Sequence, residues 1–186
     1  MIGSIKVTFA NVDKNLAVSI SPNPIPANST AEMTFTTTAD RSIWGKHTYY
    51  ATPVINGTPA QGKIGFWSFT KENFSHLSQD QKAKGPRPTF KESTYSFGKV
   101  KAGQKVKASY TFKNDGKMPF KIYKMDADAE ISYGAIPDAA PGESLTFSID
   151  LDTADLSKGE SLTIVTLTTN SPLRPIVNIF IAGFIE

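Results

Sequence analysis

The sequence predicts an all-β protein with two tandem Ig-like antiparallel β-sandwich modules, the first of them incomplete at its N-terminus. Three observations support this fold class. Apolar and polar residues alternate along most of the chain, the alternating segments are separated by clusters of Gly, Pro, Asn and Asp, and no window of about 11 residues shows sustained helical periodicity. Strands with one apolar and one polar face are typical of antiparallel sheets that cover a core on one side.

The strands can be identified in chain order from this alternation. The apolar members of the clearest segments are Ile5, Val7 and Phe9, then Val106, Ala108, Tyr110 and Phe112, and then Leu145, Phe147, Ile149 and Leu151. Two later segments, "SLTIVTLTT" and "IVNIFIAGF", are apolar on both faces and are therefore predicted to be interior strands. The connections are turn clusters such as "SPNPIPANS", "DAAPGES", "TNSPLRP" and "NDGK", and we expect the last to be a hairpin-type corner.

The chain also repeats its own pattern, which predicts the module boundaries. The stretch "NVDKNLAVSI" at residues 11–20 resembles "NDGKMPFKIY" at 114–123, and residues 24–57 resemble residues 136–170. We therefore expect one module over residues 1–72 and another over residues 89–186. The polar, proline-ending stretch 73–88 is the predicted linker. Residues 89–104 have no counterpart in the first module, so we expect that module either to be cut from a longer chain or to take an edge strand from elsewhere.

The amino-acid composition excludes several classes of functional site. The chain has no cysteine, which excludes disulfides, thiolate metal sites, Fe–S clusters and cysteine nucleophiles. His47 and His76 are its two histidines and leave little for a histidine-rich metal site. No apolar run reaches the roughly 18–20 residues that span a bilayer. The net charge is +3, but the lysines alternate with apolar residues and arginines are few, so no nucleic-acid partner is expected.

The second half of the chain carries a recognisable motif. The run "YSFGKVKAGQKVKASYTFKNDGKMPFKIYKM" is followed by "PGESLTFSIDLD", "LTTNS" and a closing "IFIAG". Over residues 90–186 this order resembles the bacterial domain of unknown function 1573 family, whose Ig-like modules are related to the ASH and major-sperm-protein-like folds. The resemblance implies export, since members are common in extracytoplasmic proteins of Bacteroidetes, and it implies no activity. Tyr133 and Gly134 stand where members often have a Cys-Gly-Cys segment, so any metal or redox role of that segment does not carry over.

Three sets of polar residues resemble parts of reactive sites. Asp126, Asp128 and Glu130 begin like a calcium loop, but the glycine and the bidentate glutamate that such a loop requires are missing. In the second group, Asp150, Asp152 and Asp155, the first two alternate with Leu151 and so fall on the outer face of a predicted strand, whereas glycoside hydrolysis needs two carboxylates across a cleft. The third candidate, His47, has no nucleophile elbow near it in the sequence. We therefore predict no catalytic residue, no metal ligand and no cofactor, and hence no enzyme.

Aromatic residues of the first module are the candidate ligand or interface residues: Trp44, Tyr49, Tyr50 and Trp67. In "GFWSF" both strand faces carry aromatic rings, so both cannot enter one core. The predicted function is a non-enzymatic structural or protein-interaction module of a larger exported bacterial protein, in the periplasm or at the cell surface. Its predicted partner is another protein or the rest of its own chain. Two alternatives stay open, a carbohydrate-binding module that stacks a sugar on Trp44 or Trp67 and an accessory domain of an enzyme that lies outside this chain.

Overall fold

The computed structural model describes residues 3–186 and divides the chain into two compact units, unit 1 up to Thr70 and unit 2 from Lys71 to Glu186. The all-β class is confirmed, since the described residues form fourteen strands and one six-residue helix. No helix in residues 3–186 is long and apolar enough to cross a bilayer. The tandem Ig-like organisation, with boundaries at residues 72 and 89, stays a prediction. The predicted linker, residues 73–88, lies entirely within unit 2.

Unit 1 contains two antiparallel sheets that share a small core. Its strands are β1 (Val7–Ala10), β2 (Leu16–Ser21), β3 (Glu32–Thr37), β4 (Gly45–Ile55), β5 (Thr58–Pro59) and β6 (Ile64–Thr70). β4 pairs with β1, β5 and β6, whereas β2 and β3 pair with each other. The core consists of Leu16, Tyr49 and Ala51, and partly buried apolar side chains from β1, β2, β3 and β6 pack around it.

Unit 2 begins with the helix and continues as two four-stranded sheets. Its elements are α1 (Gln79–Lys84), β7 (Pro88–Phe90), β8 (Thr94–Val100), β9 (Lys105–Asn114), β10 (Ile122–Ala127), β11 (Ile131–Tyr133), β12 (Ser144–Asp152), β13 (Gly159–Thr169) and β14 (Ile176–Ile185). One sheet has the order β10-β13-β14-β8 and the other β11-β12-β9-β7. All these pairs are antiparallel except β14 with β8, which is parallel.

The core of unit 2 follows the alternation in the sequence. On β9 the buried apolar residues are Val106, Ala108, Tyr110 and Phe112, and β12 contributes Phe147, Ile149 and Leu151 with the same spacing of two. Full burial of a large apolar side chain contributes about 1.5–3 kcal/mol, so these faces stabilise the unit together with the buried side chains of β13 and β14. β13 and β14 lie in the middle of their sheet, which confirms the prediction of two interior strands.

The predicted hairpin at "NDGK" is wrong. β9 and β10 do not pair but belong to different sheets, so residues 115–121 carry the chain from one sheet to the other. Gly116 faces the backbone of residues 85–87: a Cβ there would lie 2.6 Å from the Arg87 nitrogen and 2.7 Å from the Pro86 Cα. The glycine therefore permits a close approach of two backbone segments rather than a tight turn between neighbouring strands.

The buried side chain of Asn114 holds this crossing in place. Its Oδ1 accepts hydrogen bonds from the backbone nitrogens of Arg87 (3.2 Å) and Gly116 (3.0 Å). Its Nδ2 donates to the carbonyl oxygens of Met118 (2.8 Å) and Ala139 (3.0 Å). The asparagine is 0% exposed, and it satisfies four backbone groups at a buried or partly buried place.

Strand pairing in unit 1 has a counterpart in unit 2. The pairs β1–β4, β4–β6 and β2–β3 match β10–β13, β13–β14 and β11–β12. A side-chain contact supports the same match: Asp13, just after β1, accepts from the Tyr50 nitrogen at 2.6 Å, and Asp128, just after β10, accepts from the Ile164 nitrogen at 3.0 Å. Tyr50 and Ile164 are each the sixth residue of their strands.

This correspondence corrects the predicted alignment of the repeat. By its pairing, β1 is the counterpart of β10. Residues 11–15 come after β1, whereas residues 115–121 come before β10, so the two stretches do not occupy equivalent positions. The match of residues 11–20 with residues 114–123 is therefore wrong. Among residues 3–70, no strand occupies the positions of β7, β8 and β9.

Candidate interaction surfaces

The four aromatic residues singled out in the sequence lie in three different environments of unit 1. Alternation along β4 places Tyr49 in the core, 3% exposed, and the next residue Tyr50 on the outward face, 46% exposed. Trp67 on β6 is 68% exposed, and Trp44, just before β4, is half-buried. The Tyr49 ring packs edge-on against His47 with centroids 4.5 Å apart. Tyr49 is therefore a core residue, and Tyr50 and Trp67 present their rings outward.

Tyr50 and Trp67 share one sheet face with two lysines. Trp67 lies opposite Thr48 in the β4–β6 pair, and Tyr50 lies opposite Gly65, so both rings project from the same side. The Lys46 ammonium is 5.7 Å from the centroid of the Trp67 ring system, and the Lys63 ammonium is 5.9 Å from the Tyr50 ring centroid. These separations suit cation–π attraction, and the result is an exposed surface that is both aromatic and positive. We call it the aromatic face.

Unit 2 has an exposed apolar face of its own on the outward side of β13 and β14. Leu162 is 59% exposed and Phe184 is 39% exposed, and Ile164 on the same side is also exposed. Charged pairs border them: Lys124 and Asp126 at 2.8 Å near β10, and Lys99 and Glu186 at 3.8 Å near β8. We call this surface the apolar face. An apolar centre with a charged border is the usual composition of a protein-binding surface.

The segment predicted as a linker forms a groove within unit 2. The groove has a volume of about 520 Å³. It lies between residues 72–86, the connection from β9 to β10 and the connection from β13 to β14, and its lining is mainly apolar, with Phe74, Leu77, Met118 and Pro172 among the side chains. The Tyr123 hydroxyl donates to the Glu72 carboxylate at 2.7 Å inside this region. Sequence reasoning missed the groove because its walls are distant along the chain. Their spacing gives no periodic signal.

Three carboxylates of the predicted acidic groups have local structural partners. Asp126 pairs with Lys124, Asp128 accepts from the Ile164 nitrogen, and Asp152 accepts from the Ala154 nitrogen at 2.9 Å. Asp150 lies opposite Lys107 in the β12–β9 pair. Across residues 3–186, no group of three or more His, Asp or Glu side chains is arranged to hold a metal ion. These contacts explain Asp126, Asp128 and Asp152 as parts of strands and loops, although Asp128 and Asp152 also line one pocket of about 340 Å³ together with Glu130 and Asp155.

Comparison with known families assigns the second half of the chain. The sequence model of the family described as "Protein of unknown function (DUF1573)" matches residues 88–185, which is more than half of the chain. The protein belongs to this family, and the predicted resemblance is confirmed. No curated protein matches the chain in sequence.

Solved structures resemble the fold. A crystal structure of a protein of unknown function from Porphyromonas gingivalis W83 has a TM-score of 0.72 at 14% identity and covers 99% of this chain and 86% of its own. The ASH/PapD-like domain 7 of human CEP192 has a TM-score of 0.43 at 10% identity, covering 63% of this chain and 98% of its own. The Porphyromonas structure shows that the strand arrangement described above occurs elsewhere as a stable fold.

Proposed function

We propose that this member of the family is a non-enzymatic structural or protein-interaction module of a larger exported bacterial protein, in the periplasm or at the cell surface. The single observation that supports it is the exposure of large apolar side chains on sheet faces, with Trp67 and Leu162 more than half exposed. Clustered exposed apolar side chains with a polar border mark interaction sites. Family membership assigns no activity, and Asp126, Asp128 and Asp152 have structural partners.

Two tandem Ig-like modules are part of this proposal. The matched strand pairs and the matched Asp13 and Asp128 contacts support a shared plan for the two units. In that plan the aromatic face and the apolar face lie on equivalent strands, β4–β6 and β13–β14. A repeated module that presents one sheet face in each copy suits a spacer that makes contacts along its length.

Site-specific photo-crosslinking in the source bacterium tests the interaction function. A photoreactive benzophenone residue replaces Trp67 or Leu162, and the matched control replaces Ser109, which is exposed on the other sheet of unit 2. We expect a discrete adduct of reproducible mass from the first two positions and none from Ser109. Equal labelling at all three positions, or no adduct at any, would contradict the proposal.

Carbohydrate binding is the second candidate, favoured by the exposure of Trp67 beside Lys46. An exposed indole can stack on a sugar ring, and a neighbouring ammonium suits an acidic polysaccharide. Affinity electrophoresis in gels that contain neutral or acidic polysaccharides separates this function from the first. Retardation that Trp67→Ala abolishes and Trp67→Phe retains would support it. Mobility that is the same for all three proteins would exclude it.

A further inference from the structure

The sheets of unit 1 end in strands that have one edge uncovered by any other described strand, among them β3 and β6. β6 pairs with β4 along one edge, and β3 pairs with β2 along one edge. Among residues 3–186, no strand pairs with the second edge of either. A free edge presents backbone N–H and C=O groups that another extended chain can pair with.

Unit 2 shows which kind of strand such edges accept. In the matched pairing scheme β14 corresponds to β6, and β12 corresponds to β3. β14 carries β8 in parallel on the edge that β6 leaves free, and β12 carries β9 antiparallel on the edge that β3 leaves free. β8 packs Tyr95 and Phe97 against the core, and the Phe97 ring lies over Gly183 of β14. In unit 2 the occupant of this edge is therefore an extended segment with aromatic residues at alternate positions, Tyr95 and Phe97.

Near the free edge of β6, the core of unit 1 contains side chains that are only partly buried. Phe35 on β3 and Phe66 on β6 meet with ring centroids 3.5 Å apart, and both remain partly exposed. By contrast, the fully buried residues of unit 2 include large side chains from β9, β12, β13 and β14. A strand laid on the free edge of β6 would cover apolar surface of the two phenylalanines in addition to pairing backbone groups.

We propose that unit 1 binds an extended segment of a partner protein by strand addition, parallel to β6, with alternate aromatic side chains packed over Phe35 and Phe66. The partner segment has the chemistry of the first half of β8: polar and aromatic residues that alternate, as in Thr94–Phe97, and no proline in the paired stretch. This inference rests on the proposed interaction function. It uses a strand edge rather than the aromatic or apolar face.

Hydrogen exchange of the full chain tests the inference with a synthetic peptide of residues 93–101, "STYSFGKVK", as the probe. With free peptide at about ten times its Kd, backbone amides of Ile64–Thr70 should exchange about tenfold more slowly. Amides of β14 serve as the internal control, because its edge is already paired. A peptide with Ser in place of Tyr95 and Phe97 should give no protection.

Two N-methylated peptides provide the sharper control. In a parallel pair only alternate residues of the added strand direct their N–H groups to the neighbour. Methylation at one set of alternate residues should therefore abolish protection, whereas methylation at the other set should preserve it. A peptide methylated at the residues that face β6 could bind only by presenting its other edge to β6. That orientation would turn its aromatic side chains away from the core, so the two methylated peptides should not bind equally.

Several outcomes would overturn the inference. These are equal binding of the two methylated peptides, protection at β14 instead of β6, or no protection at β6 at millimolar peptide. Photo-crosslinks from the positions of Trp67 and Leu162 would persist in each of these cases if the proposed function holds. Loss of the crosslinks with retained protection of β6 would instead contradict the sheet faces as contact sites and leave strand addition standing.

Discussion

Substitution of Asn114 by alanine should destabilise unit 2 more than any other change of an uncharged polar residue described above. The side chain is 0% exposed and makes four hydrogen bonds, of 2.8 to 3.2 Å, to backbone groups on three different segments. Removing it leaves those four backbone groups without this partner. The change also disconnects the crossing between the two sheets from residues 86–87.

The expected magnitude follows from the number of bonds. A buried hydrogen bond contributes a net 0.5–1.5 kcal/mol, and a buried group left unsatisfied costs about 1–3 kcal/mol. Water that enters the space left by Asn114 can satisfy some of the groups, so we expect a loss of about 3–5 kcal/mol. A domain has about 5–15 kcal/mol in total, so the variant should fold but with a large loss of stability.

Urea unfolding followed by hydrogen exchange at unit 2 amides measures this loss. Both tryptophans lie in unit 1, so their fluorescence follows that unit and provides a separate signal. The matched control is Asn170→Ala, because Asn170 makes two hydrogen bonds, with the Lys121 nitrogen and the Pro119 oxygen, at a more exposed place. It should lose about 1 kcal/mol or less, since water replaces both partners. A loss below about 1 kcal/mol for Asn114→Ala would refute the reasoning.

Three further predictions concern the core, the crossing and the aromatic face. Burial raises the pKa of Tyr110 from its ordinary 10.0 to about 12, so stability that is present below pH 10 should be lost as the pH rises towards 12. The loss is roughly 2 kcal/mol in alkaline urea titrations, and Tyr110→Phe should remove this part of the pH dependence. Gly116→Ala should cost about 1–3 kcal/mol by urea unfolding, because the methyl group meets the backbone of residues 85–87, whereas Gly134→Ala, in open space, should cost less than about 0.5 kcal/mol. Trp67→Ala should change the unfolding free energy by less than about 0.5 kcal/mol, and a larger loss would show that the exposed indole stabilises the unit itself.

Much of the local structure could be predicted from the sequence because side-chain alternation is a local property of an extended chain. The residues Val106, Ala108, Tyr110 and Phe112 are buried as their spacing predicts. The same alternation predicts that the rings of "GFWSF" cannot all enter one core, and Phe66 indeed lies inward whereas Trp67 is exposed. Of the candidate interface residues, Tyr50 and Trp67 are exposed and Tyr49 lies in the core, and their part in binding stays a prediction.

Other features could not be predicted because they depend on which strands pair. The residues of "NDGK" suit a hairpin turn, yet no local signal tells a turn between neighbours from a crossing between sheets. The role of Asn114 depends on Arg87 and Ala139, which lie 27 and 25 residues away along the chain. The repeat was misaligned for the same reason, since short alternating segments resemble one another whichever strand they form.

The sequence by itself determined the all-β class, the faces of the main strands and the family, because these depend on residue type, on a period of two and on a motif within one stretch of chain. Only the tertiary structure decided that β9 and β10 belong to different sheets, that Asn114 fastens the crossing between them, and that β3 and β6 keep a free edge. The physical reason is that backbone hydrogen bonds between strands carry no side-chain identity. Every extended segment can pair with every other, and the choice is made by how the apolar faces close over a common core.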